Sequence, residues 1–277
     1  MLKSLVVGVN GSEPSEAAVQ VAVDWARTLG ISVTFLAVLD VQELTGGQAV
    51  GIMGSAFKAE RDEQVIANWR ERLEGALADA ARVAEAAGVT FETRLVEGSP
   101  TEELEREVQR HDLLIIGERA EPHSDREPAP SETMMQIVRT SPRPVVVAGA
   151  PLEAGASVVV AYDGSAPASQ ALESFIQSGL YSDLPVQLVG VSDEREEMEE
   201  VLQGALEYVR RHDREGRIQV IPKGKGVAES LLDFLQHEPP ALLVMGTHGS
   251  PGLKKRLLGS VSREVLEKAR VPVYLER

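Results

Sequence analysis

The 277-residue chain contains no cysteine, which excludes disulfides, thiolate metal centres and any chemistry that needs a cysteine nucleophile. No stretch approaches the roughly 20 consecutive apolar residues that span a bilayer. The opening Met-Leu-Lys-Ser-Leu-Val-Val-Gly-Val reads as a strand and not as a signal peptide. The expectation is a cytoplasmic protein without membrane contact. Positive charge is also in short supply: Lys and Arg total 28 against 43 Asp and Glu, a formal net charge of −15. So acidic a surface repels nucleic acid and anionic membranes, but a small anion site built from backbone dipoles and a local basic cluster is compatible with it. His111, His123, His212 and His237 show no metal-ligand spacing and read as surface residues.

The composition, 43% apolar and 26% charged, is normal for a soluble globular protein, and the length suits one large domain or two of ordinary size. The chain is written twice. Ser4-Leu-Val-Val-Gly-Val-Asn10-Gly11-Ser12 is echoed by Ser157-Val-Val-Val-Ala-Tyr-Asp163-Gly164-Ser165. Each copy is a continuous apolar run ending in a turn, as a buried parallel strand requires. Helical stretches follow (15–29 and 168–178), then strands (33–40 and 186–193), long charged helices (60–87 and 196–212), third strands (90–96 and 217–221) and further helices (101–110 and 228–236). Fourth strands, 112–116 and 241–245, run into Gly117 and Gly246, and each half closes with a helix and a proline-led edge strand, at 143–147 and 271–275. The alternation predicts an α/β fold with helices on both faces of a parallel sheet. A Gly/Ala/Pro linker near 148–156 divides the chain into residues 1–150 and 151–277.

The densest motif is Gly246-Thr-His-Gly249, then Ser250 to Leu258, then Gly259-Ser260-Val261-Ser262. It lies between a strand and a helix. Glycines let the backbone approach an anion closely, and free N–H groups at the helix start point at it; Ser260 and Ser262 add hydroxyl donors. A phosphate is the expected ligand. Lys254-Lys255-Arg256 inside the loop reads equally as a basic contact or a solvated tip, and His248 as a loop histidine before a general acid. Asp163, at a strand end, suits a sugar hydroxyl or a helix cap, and the two roles can coexist. The glycines of 46–54 read as a lid-like loop or a partner surface.

With these residues the chain resembles a tandem universal stress protein. The second half carries that family's G-x2-G-x9-G-[ST] pattern at Gly246, Gly249, Gly259 and Ser260, together with Asp163-Gly164-Ser165 and Val191. The resemblance implies two tandem open five-stranded parallel sheets of order 3-2-1-4-5, Rossmann-like and similar to the adenine nucleotide alpha hydrolases. It implies ATP as ligand, with magnesium as a candidate companion ion. The Val191 backbone would meet the adenine edge; Asp163, with Ala161, Met245 and Gly246, would line the ribose and base; Gly249, Gly259, Ser260, Val261 and Ser262 would hold the phosphates. Family members dimerise through the last strand, so the halves of a tandem chain are expected to form an internal pseudo-dimer, with homodimerisation open to it.

The first half departs from this pattern. Asn10 replaces the aspartate, Ala120 stands at the second glycine position, and Ser131-Glu132 replaces Gly-Ser, which brings a carboxylate to the phosphate position. Asn10, Val38, Gly117 and Arg119 are the counterpart residues there, and weak ATP binding or none is expected. Three functions follow: an ATP-binding stress or signalling protein acting through protein partners; a slow ATPase or nucleotidyl or phosphoryl transferase; and a purely structural tandem scaffold, or a domain holding AMP, a flavin or another adenine ligand. The chain lacks both a His-x-Gly-His adenylylation signature and the Gly-Lys-[Ser/Thr] ending of a P-loop, which favours the first.

Overall fold

The computed structural model describes residues 1–46, 55–117, 132–148, 155–247 and 258–277, without the side chains of 55–58. The first half runs β1 (Ser4–Gly8), α1 (Glu13–Leu29), β2 (Ser32–Leu39), α2 (Val41–Thr45), α3 (Ser55–Ala86), β3 (Phe91–Glu97), α4 (Pro100–Val108), β4 (Leu113–Gly117), α5 (Glu132–Thr140) and β5 (Val145–Ala148). The second runs β6 (Val158–Ala161), α6 (Ala166–Ser178), β7 (Val186–Val191), α7 (Arg195–Arg211), β8 (Gly216–Ile221), α8 (Val227–His237), β9 (Leu242–Gly246), α9 (Ser260–Lys268) and β10 (Val273–Glu276). Local chemistry sets the ends. Ser12 caps α1 by accepting from the Ser15 N–H, Pro14 sits in its first turn, and Gly30 closes it at φ 65°.

Each half has the expected parallel order, β3-β2-β1-β4-β5 and β8-β7-β6-β9-β10, but the two are not separate sheets. β10 pairs antiparallel with β5, in the register Tyr274↔Val146 and Leu275↔Val145, and a single ten-stranded sheet results. The two strands that read as edges are therefore innermost. Pairing them satisfies the N–H and C=O rows that each half would otherwise expose. The true edges are β3 and β8, whose partly exposed residues include Glu92, Thr93 and Arg217.

Both faces are covered, which is why the central strands are apolar at nearly every position. One core lies beneath α1, α3, α6 and α7 and includes Trp25, Phe35, Phe175, Leu202 and Tyr274. The other lies beneath α4, α5, α8 and α9 and includes Leu104, Met135, Leu231, Val265 and Leu275. Each runs unbroken from one half into the other. Polar contacts tie the junction as well: the Leu2 N–H donates to the Ser178 carbonyl at 3.1 Å, and Trp25 meets Tyr181 edge-on at 5.8 Å.

Three local expectations are corrected. α3 begins at Ser55 instead of residue 60, and a short helix, α2, precedes it. His111 is not a surface residue: its side chain is 10% exposed, with Nε2 3.4 Å from the Glu107 carboxylate. His111 follows the end of α4, four residues beyond Glu107, and Arg94 binds the same carboxylate. Among the described residues no helix is long and apolar enough to cross a membrane.

Candidate functional site

In the second half, β6 and β9 are neighbours from which the chain continues in opposite directions, β7 and β8 on one side and β10 on the other. Such a switch in strand order opens a crevice beyond the carboxyl ends of the strands. Ala161 closes β6, Val191 closes β7, Met245 and Gly246 close β9, and Ser260, Val261 and Ser262 open α9. The motif residues within the described chain thus come from four elements to one rim. Gly249, His248 and Lys254-Lys255-Arg256 lie outside the described residues, as do Arg119 and 47–54.

Asp163 is exposed, and its Oδ1 accepts from the Ser165 N–H at 2.9 Å. The cap of α6 is Ser165, whose hydroxyl accepts from the Ala168 N–H at 3.3 Å. Asp163 therefore shapes the turn before the cap, and its Oδ2 stays available. Gly164 allows the turn at φ +78° beneath Val201, to which an added Cβ would come within 2.9 Å. At Val191 the backbone direction matters more than the side chain. The Val189 carbonyl accepts from the Tyr162 N–H of the adjacent strand end, whereas the Ser192 N–H turns the other way, to Ile221. Successive peptides alternate along a strand, so the Val191 N–H and C=O face the side on which β6 has already ended at Ala161.

Gly246 has a packing reason independent of any ligand. A Cβ there would lie 2.6 Å from Pro167 C and 2.8 Å from Pro167 O, in the first turn of α6. Gly117 meets the same obstacle, with Pro14 C at 2.4 Å and the Ser15 amide nitrogen at 2.5 Å. The Met245 side chain is buried in the core, so only its backbone borders the rim.

Beyond β9, the Thr247 N–H donates to the Glu276 carbonyl at 2.8 Å, and the Gly259 N–H donates to the Thr247 carbonyl at 2.9 Å. The two ends of the glycine loop are thereby pinned side by side. Gly259 caps α9 with φ −61° and ψ 150° and has no side chain to offer. The first bond of the helix runs from the Arg263 N–H to the Gly259 carbonyl, so the amides of Ser260, Val261 and Ser262 precede the ladder and are available to an anion. The serines differ from the hydroxyl pair expected from sequence. Ser260 is exposed, but Ser262 is buried and its hydroxyl donates inward, to the carbonyls of Gly246 at 3.2 Å and Thr247 at 3.4 Å. Its amide alone faces the helix start.

The first half repeats the turn with altered chemistry. Asn10 Oδ1 accepts from the Ser12 N–H at 3.0 Å and the Ser12 hydroxyl at 2.7 Å, so its free group is an amide donor in place of a carboxylate oxygen. Val38 sits as Val191 does, two residues past a carbonyl, Leu36, that accepts from the Val9 N–H. Glu132 opens α5 and pairs with Arg139 at 2.8 Å. Sequence matching missed Arg72 of α3: its guanidinium donates to the Gly11 carbonyl at 3.2 Å and lies over Trp69 at 4.9 Å. In the second half Val201 of α7 lies over Gly164 and brings no donor, and the unequal lengths of α3 and α7 hide that correspondence. Surface grooves lie between α1 and α3, and between α8 and α9; neither is lined by Asp163 or Gly259.

The universal stress protein family model matches residues 1–149 and 156–277. A universal stress protein of Synechocystis is 24% identical over 289 aligned residues that cover 100% of both chains. Among solved structures, a universal stress protein of Archaeoglobus fulgidus superposes with a TM-score of 0.76 at 19% identity, covering 98% of this chain and 97% of that one. A putative universal stress protein of Pseudomonas aeruginosa superposes at 0.62 with 14% identity, covering 99% and 92%. These structural likenesses bear on the fold.

Proposed function

The chain belongs to the universal stress protein family, and from that premise we propose that its second half, residues 151–277, binds ATP, with magnesium as a candidate companion, and that occupancy of this site alters a surface read by protein partners in a cytoplasmic stress or signalling role. The reading rests on one observation above all. The N-terminus of α9 offers three amides without a helical partner at the switch point, beside the Asp163 turn and the unpaired edge of Val191. An adenine nucleotide needs those three things together: an edge for the base, an acceptor for the ribose hydroxyls and donors for the phosphates. In this assignment the Val191 backbone takes the adenine, Asp163 Oδ2 accepts from the ribose, and Gly249, Gly259, Ser260, Val261 and Ser262 hold the phosphates through backbone N–H groups.

Residues 1–150 form the degenerate partner half. Asn10 brings no negative oxygen to the ribose position, and Glu132 brings a carboxylate to the helix start that would receive a phosphate, so this half binds ATP weakly or not at all. Micromolar affinity in the second half corresponds to about −8 kcal/mol, which millimolar ATP saturates. A signal then comes from differential partner affinity between states.

Gly259→Asp tests the assignment. The φ of −61° and ψ of 150° at Gly259 suit any residue, and aspartate is a good N-cap, so the variant folds while its carboxylate occupies the anion position. Calorimetry is expected to show ATP binding abolished, with the circular dichroism spectrum unchanged. Retained affinity overturns the site. Mass spectrometry of freshly purified, denatured protein is expected to release one adenine nucleotide per chain.

A further inference from the structure

We propose that Arg277, together with Arg143 supplied by the first half, is a phosphate-binding pair for the second-half site; the inference rests on the nucleotide reading above.

The registers align four residues in one row across the sheet. Val160 pairs with Val244, Gly246 with Glu276, and Leu275 with Val145. Continued to the ends of their strands, those registers place Asp163, Thr247, Arg277 and Arg143 side by side across β6, β9, β10 and β5. Neighbouring strands are about 4.8 Å apart, so the Arg277 backbone lies one strand from the base of the glycine loop and Arg143 lies two. A pair of hydrogen bonds links the same points, since Glu276 accepts from the Thr247 N–H and Thr247 accepts from the Gly259 N–H at the cap of α9.

The side-chain direction is also set. Val273 and Leu275 point into the core shared by α5 and α9, whereas Tyr274 between them points into the other core. Alternation sends Arg277 to the α5 and α9 face. One hydrogen bond agrees: Arg277 Nη1 donates to the Arg139 carbonyl in the last turn of α5, at 3.2 Å. A guanidinium carries five N–H donors, so most remain for a ligand, and the opening of α9 lies on the same face. A planar, multi-donor cation beside free helix amides suits a polyphosphate chain.

The placement is otherwise unfavourable. Like charges directly opposite each other across antiparallel strands are destabilising, and Glu276, the residue before Arg277, turns with Tyr274 to the far face. Burial raises the Glu276 carboxyl above its ordinary range, and the Ser174 hydroxyl, the Arg277 N–H and, least of the three, the Arg143 charge draw it back only in part. For the first-half site the equivalent sequence positions are Gly149 and, from the second half, Val271, so the cation pair stands at the end of the junction where the glycine motif is intact.

Calorimetric titration of the full chain with ATP, and separately with adenosine, tests the pair. Arg277→Ala is expected to weaken ATP about ten- to hundredfold, the range for hydrogen bonds to charged groups, with adenosine affinity and melting temperature unchanged. Arg277→Lys recovers part of the loss, and Arg143→Ala weakens ATP in the same selective way. If the unmodified chain binds no ATP, the nucleotide reading fails and takes this inference with it. If it binds ATP and Arg277→Ala leaves the affinity unaltered, or weakens ATP and adenosine alike, the inference alone is overturned. An unaltered Arg143→Ala removes the first half's share.

Discussion

Substituting Gly117 separates the two reasons for a glycine at the end of the fourth strand. As a motif glycine, Gly117 would serve a nucleotide and could be changed without loss of stability. As a packing glycine, it makes room for α1. A Cβ at Gly117 would lie 2.4 Å from Pro14 C, 2.5 Å from Pro14 O and 2.5 Å from Ser15 N, all below the 3.0 Å floor of real Cβ contacts. All three atoms are backbone, so no side-chain rotation relieves the clash; the first turn of α1 must move off the sheet. Overpacking of this kind costs about 1–3 kcal/mol, and the upper end applies when backbone must shift. For a chain of this size each kcal/mol lowers the melting temperature by about 2–4 °C. Gly117→Ala is therefore expected to melt about 6–12 °C early by calorimetry, and to lower the urea midpoint with little change in slope. ATP affinity is expected to stay at the wild-type value, because the substitution is remote from the second-half site. A stability within about 0.5 kcal/mol of wild type, the range of an ordinary surface change, would refute the packing argument. Gly246→Ala is the poorer test, since it strikes the same packing contact and the proposed site together.

Glu276 supplies a pH test. Burial raises its carboxyl above the ordinary 4.5, so its contribution favours the folded state at low pH, where it is protonated, and is lost as pH rises through the folded value. Glu276→Gln is expected to gain stability relative to wild type between acidic and neutral pH, measured by urea unfolding across that range; a difference independent of pH would count against burial as the cause. Gly204 is an exposed residue inside α7, where an added Cβ meets nothing within 4 Å. Gly204→Ala is expected to stabilise by about 0.5–1 kcal/mol through helix propensity, and a neutral or destabilising result in the same unfolding assay would show that the position is constrained by something else.

Much of the architecture was legible because its causes are local. Continuous apolar runs marked strands covered on both faces. The match between Asn10-Gly11-Ser12 and Asp163-Gly164-Ser165 marked the duplication. His111 was misread because lone-residue reasoning carries no information about burial, and the inward turn of the Ser262 hydroxyl was hidden because its acceptors, Gly246 and Thr247, belong to a different element. Arg72 escaped notice because it reaches Gly11 across 61 residues of chain.

By itself the sequence determined the two repeats and, through their resemblance, the 3-2-1-4-5 strand order, and it marked the glycine motif of the second copy as the candidate for an anion site. Those properties depend on periodicity, turn chemistry and backbone freedom, which act over a few residues. The resemblance also led to the expectation that the halves pair through their last strands; only the tertiary structure decided that this pairing is antiparallel, in the register Tyr274↔Val146, and makes one ten-stranded sheet, and that Gly117 and Gly246 are held to glycine by helix packing. The strand registers, extended past the strand ends, bring Arg277 and Arg143 to the row of Asp163 and Thr247. These outcomes depend on strand register and on contacts between residues far apart in the chain, and no local pattern encodes which distant backbone will lie within a few ångströms.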